Sequence, residues 1–245
     1  QTTFMLISSR AIVLRVIKHT DDTLLAHLLT EESGRQTVAV RITRSRRAAV
    51  PHTLFRPAAL LQVMWNKGRE GSVVHPKAAQ TIYNYMSLPY DPEKSAIAMF
   101  LCEAIDGSVR SESDARALFR YVSGSFQWLD LAEINFANFH LAFLMRLTRF
   151  LGFTPNLSGY APGCWFDLRS ANYVPTRPLH GDCLPPEEAA LLPTLRRMNF
   201  ANMHRFRMTG AQRSRILQVL NLYYRLHLPS FPELKTLDIL GQLYS

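Results

Sequence analysis

Cysteine is scarce in this chain: Cys102, Cys164 and Cys183 make an odd count with no paired spacing. That excludes a disulfide framework and suits a reducing compartment. No run of about 18 apolar residues occurs, so no transmembrane helix is expected and no membrane partner with it. The N-terminus also lacks the cationic stretch, apolar run and small-residue cleavage site of a secretory leader, which points to a cytoplasmic location. Gln1 to Phe4 precede Met5, a plausible true start, and are set aside as a remnant of cloning or an upstream extension.

Catalytic signatures are missing as well. There is no glycine-rich loop ending in Gly-Lys-Ser/Thr to cradle phosphates, no Gly-x-Ser-x-Gly elbow and no His-Glu-x-x-His helix. No two of the eight histidines lie within five positions of each other. Cys164, Cys183 and His180 fall short of the four closely paired ligands of a structural zinc site, so no metal or other cofactor is expected and the thiols read as small buried hydrophobes. The rival enzyme reading is a metal-dependent nuclease with Glu31, Glu32 and Asp167 as its acids.

What the chain does have is positive charge, 28 Lys+Arg against 19 Asp+Glu for a net +9, which makes polyanions natural partners. The charge is segregated: residues 1–82 carry +7, residues 83–140 carry −4 and residues 141–245 carry +6. The bland alternative is a charge that serves solubility, but such charge is usually mixed along the surface.

The first third reads as five short strands at 11–18, 24–30, 35–42, 60–66 and 73–79, rich in Val, Ile and Leu. In the third, Val38, Val40 and Ile42 alternate with Thr37, Ala39 and Arg41, so one face enters a core while the other carries cations. Gly34 closes the hairpin turn before it. Five strands with one long middle connection predict an OB-type β-barrel over residues 1–82. After Tyr83 the apolar period changes from two to 3.6, predicting an all-α helical domain over 83–245, hence an α+β fold. Asp91-Pro92 starts a helix running to about Asp106, Ser111 with Asp114 resembles a capping box, and a helix over about 135–151 stops at Gly152. Trp128, Phe136 and Phe139 are expected in the core. Residues 153–185 read as an irregular loop, and helices resume at Pro186 and at Thr209, where Gln212 completes a second capping box.

Two basic clusters are candidate sites. Arg35, Arg41, Arg44, Arg46 and Arg47 crowd one strand and the loop leaving it without an intervening acid, and guanidinium forks match phosphate geometry. Lys18, Lys67, Arg69 and Lys77 come from other strands or turns and would extend the groove, although a charge run can also be no more than a solvated face. The second cluster includes Arg205, Arg207, Arg213 and Arg215, interleaved with Phe200, Phe206, Met203 and Met208. It suits a short acidic peptide with an apolar end, or DNA, unless the apolar members are core and the arginines snorkel.

Particular strings carry a resemblance. Ile12-Val13-Leu14, then Thr30-Glu31-Glu32-Ser33-Gly34-Arg35, Arg44-Ser45-Arg46-Arg47 and Leu54-Phe55-Arg56-Pro57 resemble the N-terminal pattern of the RecO family of recombination mediators. Ser95 to Ala104, Phe136 to Leu151 and Gly152-Phe153 look like its helical domain. The resemblance implies a non-enzymatic, nucleoid-associated protein that binds single- and double-stranded DNA and anneals complementary strands coated with single-strand-binding protein. It further implies contact with the acidic C-terminal tail of that protein, through Arg205, Arg207, Arg213 and Arg215, and recombinase loading together with RecR. Many members carry four zinc-binding cysteines where this chain, between about 156 and 186, keeps Cys164 and Cys183. A metal-free region is therefore expected in place of a zinc finger. Where the family usually has glycine after a basic residue at the end of the third strand, Ile42 follows Arg41. An RNA-binding or translation-linked OB protein remains the alternative binding module.

Overall fold

The computed structural model describes residues 5–43, 45, 47–69, 71–109 and 115–242. The chain divides between Leu131 and Ala132 into two compact units. The first carries five strands, β1 (Leu6–Lys18), β2 (Thr23–Thr30), β3 (Gly34–Arg41), β4 (Leu60–Asn66) and β5 (Pro76–Tyr83), and two helices, α1 (Pro92–Ser108) and α2 (Ala115–Leu131). The fold class is α+β. The strands form one antiparallel sheet in the order β3-β2-β1-β4-β5. The switch of apolar period near residue 83 lies inside this unit, because α1 follows the last strand and packs on β1.

Strand β1 is central and its apolar run is unbroken: Ala11, Ile12, Val13 and Leu14 are all buried. Both faces of β1 are covered, so alternation gives way to a continuous hydrophobic run. One face, with Ala11 and Val13, joins Ala26, Leu28, Val38, Val40, Val63 and Trp65 in a single core. On the helix side, the buried Cys102 thiol of α1 meets the Val13 carbonyl at 3.7 Å.

The ladders do not close on themselves. The two ends of the strand order are linked at one isolated parallel bridge, Val38 to Val74, where Ala39 N–H donates to the Val74 carbonyl at 2.8 Å and Val74 N–H to that of Thr37 at 3.1 Å. That bridge takes up Val74, and β5 starts at Pro76 and runs on to Tyr83, later than the 73–79 expected. β1 starts earlier than expected, since Leu6 to Arg10 pair with β4 despite their polar sequence. Gly34 does adopt positive φ, at 65°.

Asp91 caps α1, accepting from the N–H groups of Glu93 and Lys94. The Ser111–Asp114 capping pattern lies outside the described residues.

The second unit holds α3 (Phe139–Leu151), β6 (Trp165–Asp167), β7 (Asn172–Val174), β8 (Cys183–Leu184), α4 (Pro186–Ala189), α5 (Leu192–Arg197), α6 (Gly210–His227) and α7 (Leu237–Gln242). The all-α expectation is therefore corrected: the supposedly irregular stretch folds as a three-stranded sheet in the order β7-β6-β8. Its strands are two or three residues long, too short to display a period. Helix α3 begins later than predicted because Asn135 turns the chain with a φ of 67°. Gly152 ends it in the left-handed conformation at φ 83°, and Thr209 with Gln212 forms the capping box that starts α6. Phe136 and Phe139 are buried, while Trp128 is half-buried.

Candidate nucleic-acid interface

The predicted cations of the first unit fall into two groups. Arg35 is committed. Its guanidinium lies 2.9 Å from Asp106 of α1 and 3.1 Å from His27 Nδ1, which itself approaches the same carboxylate at 2.9 Å. Burial pushes the Asp106 carboxyl up, but His27 and Arg35 outweigh it and hold the group below its ordinary range. Arg35 therefore departs from the expectation of a freely presented phosphate contact, and does so because α1 supplies a buried carboxylate that would otherwise be uncompensated.

Arg41, Arg47, Lys67, Arg69 and Lys77 are exposed and have no carboxylate partner among the described residues. Arg44 and Arg46 lie outside the described residues. Two backbone links bring these segments together. From the Val38–Val74 bridge, three residues onward along each chain reach Arg41 and Lys77. Ala79 N–H then donates to the Ala49 carbonyl at 2.9 Å, drawing the loop that carries Arg47 against β5. Lys18 belongs to the same end of the sheet, since it pairs with Leu24, which pairs with Val40. Its contact with Asp21, 3.0 Å between two exposed groups, is worth little and leaves the charge available. Lys67 and Arg69 occupy the turn after β4, which Gln36 fastens to β3 through the Ser72 carbonyl at 2.9 Å. Lys77, far from the arginine cluster in sequence, is drawn in by folding alone.

The candidate nuclease acids sit elsewhere, in ion pairs. Glu31 receives two hydrogen bonds of 2.6 Å from Arg10, which hold its pKa down, and Glu32 pairs with Arg116 at 2.6 Å. Asp167 accepts from Ser170 at 2.8 Å and lies 3.4 Å from His180, while Asp182 pairs with Arg169 at 2.7 Å. Among the described residues no three His, Cys, Asp or Glu side chains gather to hold a metal ion. Cys164 and Cys183 thus do not, among the described residues, belong to a four-ligand set such as a structural zinc needs. Local hydrogen bonds and ion pairs brace the β6–β8 sheet instead.

In the second unit a cavity of about 470 Å³ opens among α4, α5, residues 206–208 and α6. Its wall is almost wholly apolar, with Leu192, Leu195, Ile216 and Leu220, and Arg207 and Arg215 stand in it as cations. Arg215 is bound by both oxygens of Glu188 at 2.8 Å, leaving Arg207 as the more available charge. Arg205 is exposed but does not line the cavity, and Arg213, half-buried, donates to the Met208 carbonyl at 2.8 Å. The leucines were the part that sequence reasoning missed. Their signal was Leu191-Leu192 and Leu195 directly beside Arg196 and Arg197.

No helix among the described residues is long and apolar enough to cross a membrane. Comparison with known proteins gives consistent matches. The family "Recombination protein O N terminal" matches residues 5–85, and "Recombination protein O C terminal" matches residues 89–237. Similar proteins, each named DNA repair protein RecO, occur in Phocaeicola vulgatus (43% identical over 241 residues) and Bacteroides fragilis (45% over 241 residues), in both cases covering 98% of this chain and all of the relative. A third, from Porphyromonas gingivalis, is 35% identical over 244 residues with the same coverage.

Proposed function

This chain belongs to the recombination protein O family, whose members act in DNA repair and recombination and bind DNA, and from that premise we propose that it is a recombination mediator that works by binding. It grips single- and double-stranded DNA on the first unit, anneals complementary strands coated with single-strand-binding protein, and assists recombinase loading together with RecR. In this reading residues 1–82 are an OB-type barrel joined to a domain over 83–245 that is helical apart from the short β6–β8 sheet. The protein acts in the cytoplasm, at the nucleoid.

The observation that carries the reading is the gathering of Arg41, Arg47 and Lys77 by two separate backbone links, with Lys18 at the same end and Lys67 and Arg69 along the turn beside β3. Cations from segments distant in sequence, left without carboxylates, form a surface on which a phosphate chain replaces its counterions. Arg44 and Arg46, outside the described residues, are proposed contacts from the sequence alone. Phosphate contact carries no base information, so strands of any sequence are accepted, and neutralising their charge lets two of them approach and pair. Arg35 contributes by holding β3 to α1 more than by touching DNA.

The acidic, apolar-ended tail of single-strand-binding protein would occupy the cavity beside α6, its last apolar side chain against Leu192 and Leu195 and its carboxylates toward Arg207, with Arg205, Arg213 and Arg215 around it.

The test is a strand-annealing assay on complexed single strands, with binding measured across a salt series. About five neutralised phosphates give a log–log slope of roughly −3 to −4 on single strands. Joint reversal of Arg41, Arg47 and Lys77 to Glu should abolish both binding and annealing in a folded protein. Retained affinity would refute the interface.

A further inference from the structure

The first unit has a second concavity, away from the stripe of cations, whose chemistry differs from that of an electrostatic groove. It is about 330 Å³ in volume and lies where the start of β4 and the end of β5 meet residues 84–90. Its walls include three tyrosines, Tyr83, Tyr85 and Tyr90, together with Pro57, Asn84 and Arg56.

Two of the tyrosines are fixed. Tyr85 donates its hydroxyl to the Ala58 carbonyl at 2.8 Å, Tyr83 donates to Asp130 at 3.2 Å, and the two rings meet edge to face with centroids 5.1 Å apart. The acceptor residue, Ala58, sits at φ 68°, a left-handed conformation that L side chains rarely adopt. Tyr85 is thus anchored to a carbonyl of a residue in a sparsely populated backbone conformation, of a kind that recurs at ligand sites. Tyr90, by contrast, is 80% exposed, so water covers most of a large aromatic ring. Arg56 is exposed as well and has no carboxylate partner among the described residues.

We propose that this pocket captures a single unstacked nucleobase of a DNA strand, the base lying against Tyr90 between the fixed rings and Pro57, with Arg56 on the adjoining phosphate. The inference rests on the DNA-binding reading above and adds to it a way of telling single strands from duplexes. Aromatic stacking accepts every base, because each has a π face, and a base can reach a ring only when it has left its own helix. Asn84 offers both a donor and an acceptor to a base edge. Continuity supports the choice of ligand. Lys77 and Tyr83 are both on β5, about 20 Å apart along an extended strand, so a nucleic acid held at the cations reaches the pocket within a few nucleotides. A protein tail is the poorer occupant, since three aromatic rings with Asn84 and Arg56 beside them match the flat, polar-edged shape of a base better than a terminal apolar side chain.

The test uses the full chain with a fluorescein-labelled oligothymidylate and, separately, a duplex of the same length, followed by anisotropy. Tyr90→Ala should bind the single strand roughly tenfold more weakly and the duplex as wild type does. Tyr90→Phe, which keeps the ring, should restore single-strand affinity, and a purely structural role would give no such split. An oligonucleotide carrying 5-iododeoxyuridine should photo-cross-link within residues 83–90 of the wild type and lose that cross-link in Tyr90→Ala. Unchanged single-strand affinity, an equal loss on duplex, or a loss confined to the tail peptide of single-strand-binding protein would each overturn base capture. If wild type binds DNA and only the reversal of Arg41, Arg47 and Lys77 removes it, the pocket inference alone fails. If wild type binds neither form, the DNA-binding reading fails and this one with it.

Discussion

Replacing Asp130 should uncouple the last strand of the sheet from the helices behind it, and the cost can be worked out from its partners. Asp130 closes α2 and is only 2% exposed. Its carboxylate accepts from the N–H groups of Met86 (3.0 Å), Ser87 (2.8 Å) and Leu88 (2.8 Å) and from the Tyr83 hydroxyl, while its carbonyl accepts from Ser87 Oγ and from Lys94 Nζ at 3.0 Å. Asp130→Ala keeps the carbonyl contacts and strips the carboxylate. The orphaned donors are not equivalent. Leu88 is buried and pays the full penalty of about 2 kcal/mol, half-buried Ser87 about 1, and exposed Met86 recovers most of its bond from water. With the cavity left by the side chain, the expected loss is about 3–4 kcal/mol. Burial raises the Asp130 pKa, but the three backbone donors and Tyr83 outweigh it and leave the group below its ordinary range. A depressed folded pKa stabilises above the unfolded value of about 3.9 and ceases to do so as pH falls through the folded one. The difference between wild type and Asp130→Asn should therefore be full at neutral pH and shrink below about pH 4. Urea unfolding at several pH values supplies the energies, and hydrogen exchange over residues 84–90 reports the local opening. A loss below about 1 kcal/mol, or one that does not change with pH, would refute the reasoning.

Asp106→Ala should destabilise the first unit by about 3 kcal/mol, since it leaves the partly buried Arg35 uncompensated beside His27; thermal melts of this variant and of Asp106→Ala with Arg35→Leu, which should recover part of the loss, check it. Chelation should leave the melting temperature unchanged, and Cys164→Ser with Cys183→Ser should cost little; a large drop on either treatment would point to a bound metal holding β6 to β8. In the second unit Leu195→Glu should remove tail-peptide binding and Arg207→Ala weaken it severalfold, both measurable by calorimetry, with DNA affinity on the first unit unaffected.

Much of the strand and helix order was legible because propensity, period and caps agreed. Asp91-Pro92, Gly152 and Thr209 with Gln212 each mark a boundary by a local mechanism that the folded chain uses unchanged. The departures have local causes too. Ser8, Ser9 and Arg10 hide a strand because their part of β1 is held by its ladder with β4 and carries little apolar alternation. The β6–β8 sheet escapes detection because it is set by turns and ion pairs such as Arg169–Asp182, which have no periodic signature.

The candidate site was half legible, for a reason that applies to any cluster of like charges. Sequence density counts cations, whereas a ligand responds only to those that the protein has not already neutralised. Arg35 opens the arginine-rich stretch yet its charge is met by Asp106, a residue on a helix that sequence proximity gives no reason to consider. Arg10 is likewise met by Glu31. Lys77, expected to extend the cluster despite its distance along the chain, is carried toward it by the Val38–Val74 bridge and the Ala49–Ala79 hydrogen bond. Pairing withdraws a predicted member and topology gathers others, so the surface that remains among the described residues depends on the carboxylates' absence as much as on the arginines' presence. A charge-reversal series should therefore rank Arg41, Arg47 and Lys77 above Arg35 in DNA affinity, with Arg35→Glu acting mainly through stability, and the opposite order would mean that the Asp106 contact opens when DNA binds.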